Sequence, residues 1–290
     1  MDAIQNGLIF GGTGKLGTAL SHAFADGWNL RAVGGKEVDV TDKAALRELM
    51  AAARPRVVFN AKVIGGVDAC EQAPGLAYRI NTRFPAHLAE LSEELGFTLV
   101  HFSTDAVFPD CAPGRAHTES SVPAPLNAYA LSKYGADCLI PAITPRAYVL
   151  RLSVQFGERP AATQFLERML EQALEGAPVL RVASDVVCSP SYSLDVAQRV
   201  RGILEEGLPC GLYHLANAGQ ASLFELVFAA VEMLGLSTRV EPVPSATFPA
   251  QGRRSRITPL ASEKIPALRP WREALADFCQ TFKAARAGAR

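Results

Sequence analysis

The sequence predicts an α/β fold, a doubly wound parallel sheet followed by a smaller C-terminal lobe. Three observations carry this. Short runs rich in Val, Ile and Phe alternate with longer segments of helical period through the first half. A glycine-rich turn follows the first of these runs. The second half loosens into helices and short strands punctuated by Pro and Gly, as in Pro242-Val-Pro244. Together they indicate a Rossmann-like arrangement, and 290 residues at 49% hydrophobic content suffice to fill its core.

The elements follow in order. Leu8 to Phe10 reads as strand one, Leu16 to Asp26 as helix, Leu30 to Val33 as strand two, Lys43 to Ala53 as helix and Val57 to Asn60 as strand three. Leu76 to Leu95 is helical, Thr98 to Phe102 a strand, Ala128 to Ile140 a helix and Tyr148 to Leu152 a further strand, making at least five. After Gly157 the helices are Gln164 to Leu174, Leu194 to Glu206, Leu223 to Leu234 and Trp271 to Ala285, with strands near Val179 to Val182 and Leu212 to Leu215. The expected division is a dinucleotide-binding domain over 1–157 and a mixed α/β lobe over 158–290. The return of one strand and one helix from the lobe to the first domain stays open.

Composition excludes several functions. Lys plus Arg number 29 and Asp plus Glu number 29, so no basic field exists to recruit nucleic acid or an anionic membrane. The six cysteines are scattered without a CxxC pair and read as reduced thiols in a cytoplasm. The N-terminal stretch lacks a basic region and a long apolar run, so no export is expected. The most apolar stretch, Leu223 to Leu236, is broken by Glu225 and Glu232 at helical spacing and reads as an amphipathic helix. The five histidines show no ligand spacing, so no metal site is expected. His101 reads as a core residue of its strand, Cys111 and Cys188 as bystanders in loops, and Trp28 and Trp271 as packing groups.

Two constellations carry chemistry. Gly11, Gly14 and Gly17 have the spacing G-x-x-G-x-x-G between a strand and a helix, which lets backbone N–H groups approach a pyrophosphate at the helix N-terminus. Thr13, Lys15 and Leu16 in the same turn join them as candidate dinucleotide contacts. At the tip of strand two, Val33-Gly34-Gly35-Lys36 offers no carboxylate for a ribose 2′-hydroxyl, and Lys36 with Arg31 favours NADPH over NADH. Asp39 and Val40 follow as candidates for the adenosine end, although Asp39 equally suits a capping neighbourhood in which Thr41 or Asp42 starts the next helix.

The second constellation is Tyr129 and Lys133, which lie four residues apart on one helix face, so that an ammonium can lower the phenol pKa. Ser103-Thr104-Asp105 ends the preceding strand and supplies the hydroxyl of a Thr104, Tyr129, Lys133 set. In that set Tyr129 protonates a ketone oxygen, Thr104 polarises it, and Lys133 tunes the phenol and holds a nicotinamide ribose.

At this point the chain resembles the extended short-chain dehydrogenase/reductases, and within them the dTDP-4-dehydrorhamnose reductase branch. The segments that carry the resemblance are NAKVIGGVDACE, RINTRFPAHLAELSEELG, VHFSTDAVFPD, PLNAYALSK, RLSVQFG, SDVVCSPSYSLDVA and GLYHLANAG, spread over nearly the whole chain. The resemblance implies NADPH- or NADH-dependent reduction of the 4-keto group of a nucleotide-linked deoxysugar. It further implies cofactor contacts from the glycine turn, from Asn60, Ala61, Lys62 and Val63, and from Ser103, Tyr129 and Lys133. Thr104, Asp105, Val154 and Arg254 would face the nucleotide sugar, and a homodimer stays open.

The departures bear on the sugar. Val154 stands where the family usually has Trp, Asp185-Val-Val-Cys188-Ser-Pro190-Ser191 loses an amide and a glycine of the family's Asp-Gln-x-Gly-x-Pro-Thr, Lys62 replaces a small residue, and Ile257-Thr258 replaces Asn-Ser. Ala106 occupies the position of a dehydratase's Glu, which disfavours dehydration. Two other readings remain, a non-catalytic dinucleotide-binding subunit resembling the methionine adenosyltransferase regulatory β subunit, and a nucleotide-sugar 4-epimerase.

Overall fold

The computed structural model describes residues 5–158 and 164–287. Residues 1–4, part of the N-terminal stretch weighed above, lie outside the described residues.

The first half runs β1 (Gln5–Phe10), α1 (Lys15–Ala23), β2 (Trp28–Val33), α2 (Lys43–Ala53), β3 (Val57–Asn60), α3 (Val67–Gln72), α4 (Pro74–Tyr78), α5 (Phe84–Leu95), β4 (Thr98–Thr104), α6 (Ala128–Ile143) and β5 (Ala147–Leu152). The second half runs β6 (Gln155–Phe156), α7 (Phe165–Leu174), β7 (Val179–Ala183), β8 (Val187–Cys188), β9 (Ser191–Tyr192) and α8 (Ser193–Glu205), then β10 (Gly211–Leu215), β11 (Asn217–Ala218), β12 (Ala221–Ser222), α9 (Leu223–Leu234), β13 (Arg239–Val243), β14 (Leu268–Pro270) and α10 (Trp271–Ala287).

Six strands form one sheet in the order β2-β1-β3-β4-β5-β10, all parallel. The order reverses between β1 and β3, which opens a crevice beyond the carboxyl ends of those strands. Side-chain alternation sends Leu8, Phe10, Val58, Leu99 and Val149 to the face covered by α2, α5 and α6. It sends Ile9, Phe59, Val100, Phe102 and Leu150 to the face covered by α1 and α8. The sheet is therefore buried on both faces, as runs of continuous apolar character require. The strand expected at Leu212 to Leu215 is β10, the sixth strand of this sheet, and α8 packs behind the sheet through Val196, Val200 and Ile203.

The remaining helices α7, α9 and α10 enclose a separate apolar cluster built on Phe156, Leu170, Leu226, Trp271 and Phe278. Trp28 packs edge-on against Phe24 at 5.3 Å, and both tryptophans serve packing. A capping box of Ser222 and Glu225 starts α9 and a left-handed Gly235 ends it.

Two elements differ from the sequence reading. The single helix expected over Leu76 to Leu95 is divided by a π-helical turn at Arg79–Arg83 ahead of Pro85, which has no N–H to continue the ordinary ladder. The six-residue helix α3 lies between strand three and the helix expected from Leu76, a stretch to which the sequence reading assigns no element. No helix among the described residues is long and apolar enough to cross a membrane.

Candidate active site

A cavity of about 360 Å³ opens at the crevice beside β1, lined by the glycine turn, Ala61 to Val63, Phe102, Ser103, Tyr129, Lys133, Gln155 and Gln164. The turn tolerates no side chains where it closes on itself. A Cβ at Gly17 would fall 2.4 Å from the Gly11 carbonyl oxygen, and Gly11, at φ +84°, would meet the Ala61 backbone at 2.6 Å. Gly14 gives α1 no side-chain cap, which leaves the first N–H groups of that helix open to an anion. These features fit a dinucleotide pyrophosphate. Lys15, in the same turn, is buried, and its ammonium pairs with Glu167 of α7 at 2.7 Å and with the Gln155 carbonyl at 2.7 Å. The turn is thereby tied to the second half of the chain.

At the tip of β2 the structure corrects the reading that no carboxylate stands there. Glu37 folds back to pair with Arg31 and to accept from the Gly34 N–H. Lys36 is exposed beside it. Asp39 accepts from both the backbone N–H and the hydroxyl of Thr41, which hold its carboxyl below the usual range, while Asp42 caps α2. Val40 is buried in the core. Lys36, Asp39 and Val40 therefore lie outside the cavity lining.

In the cavity wall, Tyr129 and Lys133 stand on α6, whose N-terminus is capped by Asn127. The Thr104 hydroxyl at the end of β4 stands beside the Tyr129 phenol and favours its ionised form. Burial pushes the phenol up to about 12, and the nearby Asp105, Cys70 and Asp137 add to the rise. This differs from the lowering expected of a neighbouring ammonium. The Lys133 Nζ is instead buried, donating to the Phe102 carbonyl at 2.6 Å and lying 3.2 Å from His101 Nε2, and burial lowers it to about 8. Asn60, placed level with His101 by the β3–β4 register, is not in the cavity wall but behind it, at 3.1 Å from His101 Nδ1.

Thr104 and Asp105, expected from the sequence to face the sugar, are both buried. The Asp105 carboxylate turns inward, accepting from Ser153 at 2.7 Å, Thr258 at 3.3 Å and Thr104 at 3.2 Å. Burial outweighs these bonds and raises its carboxyl to about 6. Cys188 lies close by, with its thiol pushed up by burial. Val154 packs half-buried against the apolar cluster of the second half, and Arg254 pairs with Asp68 of α3 at 2.8 Å. Neither lines the cavity.

The sequence matches the RmlD substrate binding domain family over residues 5–284. The chain belongs to this family. Within it, the chain is 31% identical over 280 residues to a dTDP-4-dehydrorhamnose reductase of Mycolicibacterium smegmatis, covering 94% of this chain and 84% of that one. It is also 31% identical to the spore coat polysaccharide biosynthesis protein SpsK of Bacillus subtilis, covering 94% and 96%. A crystal structure of dTDP-4-dehydrorhamnose reductase from Bacillus anthracis in complex with NADP superposes with a TM-score of 0.90 at 25% identity, covering 96% and 99%. The match to the RmlD family runs from β1 into α10.

Sequence reading missed two contacts around this site: that of His101, read only as a core residue, beneath Lys133, and that of Glu37 at the β2 tip. The alternation of β4 was the available signal for His101, because it sends residues 99, 101 and 103 toward α6. Thr258, singled out with Ile257 as a departure on the sugar side, lies against Asp105, 153 residues away in sequence.

Proposed function

We propose that this protein is an NADPH-dependent reductase of the 4-keto group of a nucleotide-linked deoxysugar, of the dTDP-4-dehydrorhamnose reductase type with a divergent sugar pocket. The observation that carries the reading is the placing of Tyr129 and Lys133 together in the wall of a glycine-turn cavity, with the Thr104 hydroxyl beside the phenol, in a chain of the RmlD family. When bound, NADPH supplies a hydride to the ketone carbon.

The chain's own residues do the rest. Gly11, Gly14 and Gly17 with the amides of α1 hold the pyrophosphate, and Ala61 to Val63 flank the dinucleotide. Thr104 presents a hydroxyl to the sugar ketone beside the phenol. Tyr129, with its pKa at about 12, keeps its proton at neutral pH and gives it to the oxygen as the alcohol forms. Lys133 holds the ribose and stabilises the phenolate left behind. Residues 1–157, completed by α8 and β10, hold the dinucleotide, and the chain from 158 onward shapes the sugar side with Val154, Asp105 and Arg254. Six cysteines outside any disulfide and the NADPH requirement support a cytoplasmic setting.

The test is NADPH consumption by purified protein with a small panel of nucleotide-linked 4-keto-6-deoxy sugars made in place by a dehydratase. Consumption with one names the sugar. No consumption with any, alongside tight dinucleotide binding, overturns the reductase reading in favour of a non-catalytic subunit.

A further inference from the structure

Beneath Lys133 lies a polar chain enclosed by apolar residues. Asn60, His101 and Lys133 are each at most 2% exposed. Asn60 Oδ1 accepts from the Lys62 backbone N–H at 3.3 Å, Asn60 Nδ2 lies 3.1 Å from His101 Nδ1, and His101 Nε2 lies 3.2 Å from Lys133 Nζ. The first member is a backbone N–H, which only donates. Its direction propagates: with Oδ1 taken by Lys62, the amide offers Nδ2–H to His101, so Nδ1 accepts and the neutral ring carries its proton on Nε2. An ammonium at Lys133 demands the reverse, with Nε2 accepting and Nδ1–H facing Asn60. Turning the amide to suit that ring brings Nδ2–H against the Lys62 N–H. One pair of opposed donors therefore remains whenever Lys133 is charged, and none when it is an amine.

We infer that His101 is a positioning residue for Lys133, in which a hydrogen-bond chain anchored on the Lys62 N–H holds the imidazole proton on Nε2 and points it at the lone pair of a neutral Lys133 amine. The Phe102 carbonyl, at 2.6 Å from Nζ, accepts from either form and fixes where the nitrogen sits.

The charges around the chain agree with this. From α6 itself, Asp137 favours the charged form of Lys133, but it is paired at 2.9 Å with Arg151 of β5. The Tyr129 phenol lies on the same helix, with Asp105 after β4 and Cys70 on α3 around that phenol. His101 does not take up the charge, because burial and the neighbouring Lys133 hold its pKa well below the usual imidazole value. Burial and the ring's donor thus act together, and Lys133 titrates near about 8. On the reductase reading, turnover then falls as pH rises through this value, because a neutral amine no longer stabilises the Tyr129 phenolate.

Two measurements test the inference, and the first needs no substrate. In the ¹⁵N-histidine spectrum of the wild-type protein at a pH above the Lys133 pKa, one ring, identified by its loss in His101→Gln, is expected in the Nε2–H form, and on acidification it is expected to stay neutral well below the usual imidazole pKa. An Nδ1–H tautomer, or a ring that titrates near about 6.5, overturns the proposal. The second compares basic limbs of kcat. His101→Leu removes the donor and is expected to raise the limb by about one pH unit, the weight of one hydrogen bond. His101→Gln keeps an N–H toward Nζ and is expected to leave the limb within a few tenths of a unit of wild type. A purely structural role lowers kcat or Tm in both variants without moving the limb, and that result overturns the proposal. Should the variants not fold, sequential backbone-to-ring assignment of His101 replaces the variant, and the wild-type tautomer decides. Should no sugar be turned over, the reductase reading fails while the spectrum still judges His101.

Discussion

On the proposed reading Tyr129 is the residue on which the chemistry turns. Its phenol stands beside Thr104 and is kept protonated by burial, so Tyr129→Phe is expected to lower kcat by about 10²-fold or more while leaving NADPH affinity nearly intact. Steady-state kinetics alongside calorimetric NADPH binding separate the two effects, and near-normal turnover contradicts the role. Asp105 gives a pH signature of its own. Its folded pKa, raised to about 6 from 3.8, means that the folded chain holds a proton there that the unfolded chain has released. The stability this confers is present in full below about 4 and is lost as pH rises through about 6. Denaturant titrations across that window are expected to show the fall in wild type and a flatter profile in Asp105→Asn. At this scale the Tyr129–Lys133 pair was legible because four residues on a helix share a face. The contact of His101 with Lys133 spans 32 residues and depends on which strand lies under α6, so no local pattern announces it.

Elements set where those residues stand. The β1–α1 turn works because Gly17 sits against the Gly11 carbonyl, so Gly17→Ala is expected to displace the turn and weaken NADPH binding at least about 10-fold, readable by calorimetry. The β2 tip makes a second case. Arg31 is already neutralised by Glu37, which leaves Lys36 as the exposed cation for a 2′-phosphate. Lys36→Asp is expected to shift the ratio of NADPH to NADH kcat/KM toward NADH, and an unmoved ratio removes Lys36 from cofactor selection. The strands of the first half were legible because each is a short apolar run bounded by turn residues. The π-helical turn at Arg79–Arg83 was not, since its five residues have ordinary helical propensities and only the tertiary position of Pro85 and α6 distinguishes them. Glu37 was overlooked because the fingerprint was read one residue short of the carboxylate that folds back.

The whole molecule joins two apolar cores through polar links. Lys15 binds the glycine turn to α7 through Glu167, and Arg269 reaches Asp195 of α8 with two bonds of 2.8 and 2.9 Å, while Asn217 donates to the same carboxylate at 2.7 Å. Asp195→Ala removes the acceptor that these groups share and is expected to cost about 3 kcal/mol, seen as a lower urea midpoint at unchanged m. The return of β10 to the sheet leaves the second half, from β6 to α10, packed beside the crevice that the strand-order reversal creates. A cofactor turn, a proton donor and a wall from another core then meet in one place, which is what reduction of a bulky ketone requires.

The most direct test of this account is the fate of deuterium from NADPH labelled at its transferable position, followed by mass spectrometry of the sugar product. The account predicts one deuterium at C4 of the product for every NADP⁺ released. A product without label, or interconversion of sugars with no net consumption of NADPH, contradicts it.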